Sequence, residues 1–171
     1  RTLGAMNNMQ SAHAAIGRAV CASQDFEVVL LVSFELFRMI TEPEYRELTQ
    51  GLIPPSKFKL PTKNLLKLLA ERNNIAPELE AEIANLLEDR HTAIHRWKLQ
   101  NGFVDATDKE YWGRYEALAT KVETQSNRVS RLLLSYFLKW AEPDWARAHQ
   151  DEYLKRMKLL FHNTTERAVP K

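Results

Sequence analysis

Proline is absent from Met6 to Glu42 and again from Glu78 to Glu142, and both tracts repeat their apolar residues at the helical period. In the first, Ala12, Ile16, Ala19, Ser23, Phe26, Leu30, Phe34, Phe37 and Ile40 recur at steps of three and four. In the second, Tyr111, Tyr115, Leu118, Val122, Val129, Leu132, Leu133, Tyr136, Phe137 and Trp140 form one long stripe, interrupted by Gln125, Ser126 and Asn127. A chain patterned this way is built around two long helices, roughly 50 Å each at ~1.5 Å rise per residue. With only 5 glycines in 171 residues, little else breaks them. No segment alternates apolar and polar residues as a strand would.

The punctuation divides the rest. The first helix runs from about Asn7 to Thr41, where Glu42-Pro43 ends it. Gly51 to Pro61 reads as an extended surface loop stiffened by Pro54-Pro55, with Lys57 and Lys59 serving solubility first. Thr62 caps a short helix bearing Leu65, Leu66, Leu68 and Leu69 that stops near Asn73-Asn74. Pro77 opens a third helix with an acidic first turn, Glu78, Glu80 and Glu82, which suits the helix dipole. It continues through Ile83, Leu86, Leu87, Ile94 and Trp97 until Asn101-Gly102. Asp105, Thr107 or Asp108 caps the second long helix and Pro143 ends it; a fifth helix follows from Asp144 to about His162. The expected architecture is an all-α antiparallel bundle of about five helices, one domain spanning residues 1–171. Residues 1–5 read as a vector-derived or unstructured start, and 163–171 as a flexible tail.

A net charge of +2 and a pI near 8.7 lack the dense basic face of a duplex-DNA binder, while leaving room for a local RNA-binding patch. The single cysteine, Cys21, excludes an internal disulfide and reads as a small buried hydrophobe. Val28 to Ile40, the most apolar stretch, is too short to span a bilayer and carries Glu35 and Arg38. Cytoplasm is the default compartment, with no membrane partner.

The third helix turns densely polar after Leu87: Glu88, Asp89, Arg90, His91, His95, Arg96 and Lys98. Charge runs of this kind are most often solvated faces, and three sharper readings stand beside that one. A metal site could use His91 and His95, at i and i+4, with Glu88-x-x-His91 matching one half of a di-iron pattern. The second half is missing and His13, His149 and His162 lack ligand spacing, so no metal or other cofactor is expected. Acid–base work on RNA could use an imidazole that titrates near neutrality and a guanidinium that clamps phosphate. Arg90 and His95 supply those groups, but five positions on an α-helix lie about 140° apart. Two protomers sharing a cleft, or a distorted helix, would be needed to aim both at one phosphate. The third reading is a non-catalytic interaction module, for which Trp97, Trp112, Trp140 and Trp145, with Tyr111, Tyr115 and Tyr136, supply core and interface. Lys155, Arg156 and Lys158 form the solvent face of the fifth helix.

An Arg, a polar residue and then a His late in a helix of an all-α bundle, here Arg90-His91-Thr92-Ala93-Ile94-His95, resembles the signature of HEPN-domain proteins. The order of long helix, short helices and second long helix is similar over most of the chain. The resemblance implies a homodimeric, metal-independent endoribonuclease of toxin or defence type, cleaving by attack of the ribose 2′-hydroxyl on the adjacent phosphate. It implies His95 as general acid/base, Arg90 as phosphate ligand and His91 as the residue that orients them. Glu88 would hold Arg90, and Arg96 and Lys98 would touch the RNA backbone. An antitoxin or other neighbouring-gene protein is the expected further partner.

Overall fold

The computed structural model describes residues 2–71 and 76–141, with Ala148 and Asp151, and side chains for 8–71 and 76–135. The helix expected from Asp144 to His162, with Trp145, Lys155, Arg156 and Lys158, lies outside the described residues apart from those two positions, as do the tail and the side chains of Tyr136 and Trp140.

The fold is an all-α helical bundle, with no strand among the described residues. Helix α1 runs Thr2–Thr41, α2 Pro43–Thr49, α3 Thr62–Glu71, α4 Pro77–His91, α5 Trp97–Asn101 and α6 Lys109–Ala141. A 3-10 turn covers Pro55–Lys59, and a π-turn, Thr92–Arg96, joins α4 to α5. Helix α1 begins at Thr2, where residues 1–5 were expected to stand apart. Pro43 ends α1 as expected, and the same residue opens α2 because its fixed φ suits a first helical position. The expected extended loop tightens at Pro55, where the Lys57 N–H donates to the Pro54 carbonyl at 2.9 Å. Thr62 lies inside the first turn of α3, and the Pro61 carbonyl accepts from Asn64 at 2.9 Å. The Asp108 carboxylate accepts from the Tyr111 N–H at 2.9 Å and so caps α6. Among the described residues no helix is long and apolar enough to cross a membrane.

The chain divides into two compact units, residues 1–27 with 66–129, and residues 28–65 with 130–171. In the first unit α4 runs antiparallel to α6: Glu82 pairs with Arg128, Asp89 with Lys121, and Ala93 with Tyr115. The first part of α1 runs the other way, parallel to α6, since Ser11 meets Glu116 and Arg18 meets Glu123. In this unit α1 and α6 therefore run the same way, and α4, which follows α1 and precedes α6 in the chain, runs against both. Small residues on α1, Ala12, Ala15, Ala19 and Ser23, are buried and permit close approach. Ser23 lies 3.4 Å from Ser126, Oγ to Oγ, so the polar interruption of the α6 stripe is itself core. Ala12, Trp97, Tyr111, Trp112 and Tyr115 form an aromatic cluster at one end, as expected of core residues. Cys21 is exposed, contrary to its expected burial: it stands about 200° around the helix from Ala19, opposite the buried face.

In the second unit Leu30, Leu31, Phe34, Met39, Leu65 and Leu133 are buried, whereas Ile40 at the end of the α1 stripe is exposed. Glu35 is also fully buried. The Tyr45 hydroxyl donates to its Oε2, while its Oε1 has no hydrogen-bond partner.

Candidate functional site

The polar end of α4 does not run on as a regular α-helix. From Thr92 to Arg96 the backbone widens into a π-turn, and α-geometry resumes at Trp97. A turn closed by i→i+5 bonds holds one residue more than an α-turn, which leaves one carbonyl without its ladder partner. The carbonyl of Ala93, inside the turn, accepts a hydrogen bond from the Tyr115 hydroxyl of α6 at 2.9 Å. Burial raises the Tyr115 phenol above its ordinary value, with the nearby Tyr111 phenol adding to the shift, so the hydroxyl stays a donor. Trp97, the first residue after the turn, stacks on the Tyr115 ring at 4.8 Å and 3°. One side chain thus fixes the turn twice, through its hydroxyl and through its ring.

The π-turn changes how the sequence-selected residues are aimed. A π-turn holds more residues than an α-turn and so narrows the separation that α-geometry gives to residues five apart; His95 lies inside this turn and Arg90 two residues before it. The distorted helix anticipated as one way round the spacing problem is what the chain adopts. The His91 and His95 rings lie 5.4 Å apart, centroid to centroid, tilted by 50°. His91 is half-buried and His95 exposed, so the second ring meets solvent and the first backs it.

Arg90 is anchored from another helix. Its Nη1 donates to Glu27 Oε1 of α1 at 2.6 Å, and its Nε is buried without a hydrogen-bond partner. Glu88, expected to hold Arg90, instead lies 4.0 Å from Arg96, with both side chains largely exposed. An ion pair at that distance in solvent contributes on the order of 0–1 kcal/mol. Asp89 pairs with Lys121 at 2.6 Å and ties the last turn of α4 to α6.

Arg96, the last residue of the turn, and Lys98 beyond it are exposed, and Lys98 Nζ stands 5.9 Å from the Phe103 ring centroid. Phe103 is 85% exposed although the backbone on each side of it is held. The Tyr111 hydroxyl donates to the Gly102 carbonyl at 3.2 Å, and the Trp112 indole N–H to that of Asp105 at 3.2 Å. Gly102, at φ 78°, takes the extended positive-φ conformation that glycine adopts without strain as the chain leaves the helix. The Asp105 carboxylate is held below its usual range by the backbone N–H and then the side chain of Thr107.

Glu27 and Phe103 carry no sequence signal that points to this site. Glu27 lies 63 residues from Arg90, and no local pattern links them. Tyr115 reads from the sequence as a core or interface residue of the long stripe, with nothing to link it to Ala93. Among the described residues no cluster of His, Cys, Asp and Glu has the spacing to hold a metal ion. No protein-family model matches the sequence, and no curated protein and no solved structure matches it.

Proposed function

We propose that the chain binds RNA and cleaves it as a homodimer, without a metal, at Arg90, His91 and His95. The observation that supports this reading is the π-turn at Thr92–Arg96, a break from α-geometry that holds the exposed His95 and begins two residues after Arg90. π-turns are rare and concentrate at functional sites. Arg90 is held by one nitrogen on Glu27, which leaves donors for a phosphate oxygen. His95 accepts the proton of a ribose 2′-hydroxyl as it attacks the adjacent phosphorus. The P–O bond to the 5′-oxygen breaks, and that oxygen takes a proton from a second imidazole. A partner protomer's copy of the same helix supplies the second imidazole, which is why the dimer belongs to the reading. Products are a 2′,3′-cyclic phosphate and a free 5′-hydroxyl. Arg96, Lys98 and Phe103 extend the surface with two cations and an aromatic face, the combination that holds single strands. A cytoplasmic toxin held by a protein antitoxin fits this chemistry.

The test is cleavage of a mixed-sequence single-stranded RNA in the presence of a chelator. Wild type should yield cyclic-phosphate ends, and His95→Ala and Arg90→Ala, both folded, should not. Intact RNA with wild type, together with no growth inhibition on expression, overturns the enzymatic reading. It would favour the second one, a non-catalytic helical interaction module that docks through Leu99 and Phe103, both exposed.

A further inference from the structure

We infer that Tyr115 is the positioning residue of this site, its hydroxyl holding the backbone turn that aims His95. The inference rests on the proposed function for its consequence in catalysis, while its structural half stands alone. A π-turn persists only if the carbonyl it displaces finds a donor, because an unsatisfied buried carbonyl drives the backbone back toward a regular ladder. The Tyr115 hydroxyl is that donor for Ala93, which is itself buried. Tyr115 belongs to a different helix, so the local geometry of the turn between α4 and α5 is dictated from α6. Its ring is fixed by Trp97 in parallel stacking, by Tyr111 edge-on at 6.4 Å, and by Trp112 at 6.4 Å. A hydroxyl on so fixed a ring sets the position of Ala93 closely, and Ala93 lies two residues from His95. Tyr115 touches no substrate in this scheme; it acts through the backbone.

The experiment is a two-by-two set of full-length proteins: wild type, Tyr115→Phe, deletion of Thr92, and both changes together. Deleting one residue inside the π-turn lets the helix close as an ordinary α-ladder, giving the Ala93 carbonyl a backbone partner. Tyr115→Phe should then shift the unfolding equilibrium about tenfold in the intact chain and less than about twofold in the deletion background. Equal shifts in the two backgrounds overturn the inference. Should the deletion proteins not fold, the carbonyl 13C shift of Ala93 and the ring resonances of His95 decide it. Both should move in Tyr115→Phe, and unmoved signals overturn the inference. In the cleavage assay Tyr115→Phe should lower kcat about tenfold with KM unchanged. A wild type without cleavage removes the proposed function but leaves the stability cycle and the resonances to settle the role of Tyr115 in the turn.

Discussion

Arg90 of α4 donates from Nη1 to Glu27 of α1 at 2.6 Å, and this bond fixes the guanidinium beside the π-turn. A lysine here keeps the charge and can reach Glu27, yet has no second nitrogen in a planar fork to offer a phosphate. Arg90→Lys should therefore fold with stability within about 1 kcal/mol of wild type while losing about a hundredfold in cleavage rate, the usual effect of removing a transition-state donor. Thermal melts and single-turnover cleavage measure the two effects separately. A Lys variant that cleaves normally would show that the fork plays no part.

Phe103 stands exposed between two anchored backbone positions, with Lys98 near its ring. Base stacking on an exposed aromatic contributes about 1–3 kcal/mol per base. Phe103→Ala should weaken binding of a single-stranded RNA about tenfold or more by fluorescence anisotropy, and Phe103→Trp should retain it. The melting temperature of Phe103→Ala should stay unchanged, because the ring buries little surface on folding. Unaltered affinity in Phe103→Ala would remove this ring from the RNA surface.

The long helices could be read from the sequence because each carries one periodic apolar face and few breakers, so local pattern and tertiary demand agree. The pairing of α1 with α6 in the first unit could not, since contacts such as Arg18 with Glu123 join residues 105 apart in the chain. The same limit governs the site. Arg90, His91 and His95 stand out as residue types in order, whereas the π-turn beside them bonds through Ala93 to a Tyr115 hydroxyl 22 residues away, which no local pattern announces. Ser126 is the instructive case. It looked like a polar gap in an apolar stripe, but a small side chain is what the close approach to Ser23 needs. Ser126→Leu should overpack that crossing and cost about 1–3 kcal/mol in chemical denaturation. Ser126→Ala should cost clearly less, and the reverse order would contradict the packing argument.

Tyr45 provides a pH-dependent stability term. Burial, followed by the hydrogen bond to Glu35 and its charge, pushes the phenol up to about 12. An unfolded tyrosine titrates near about 10. The folded state therefore favours the protonated phenol. That stabilisation is complete below about pH 10 and is lost as pH rises toward about 12. Urea midpoints of wild type and Tyr45→Phe, compared across this window, should converge with rising pH, since lysine titration is common to both. A constant gap would mean that Tyr45 titrates normally.

The Glu35–Tyr45 pair also separates the cost of a broken hydrogen bond from that of an absent one. Glu35 is 0% exposed, and Tyr45 provides the hydrogen bond to its Oε2, the other oxygen having no partner. Arg38 lies 3.5 Å above the Tyr45 ring, but its guanidinium is engaged with Glu42 at 3.0 Å. Tyr45→Phe strips the buried carboxyl of that donor and should destabilise by about 1.5–3 kcal/mol. Glu35→Leu leaves only a half-buried hydroxyl that water can reach, and should cost less. Making both changes removes the buried polar group together with its partner, which in other cores is close to neutral. The double variant should therefore be more stable than Tyr45→Phe alone, by denaturant unfolding at neutral pH. A double variant at least as unstable as the sum of the single changes would show that the carboxyl group of Glu35 is needed for more than its bond to Tyr45.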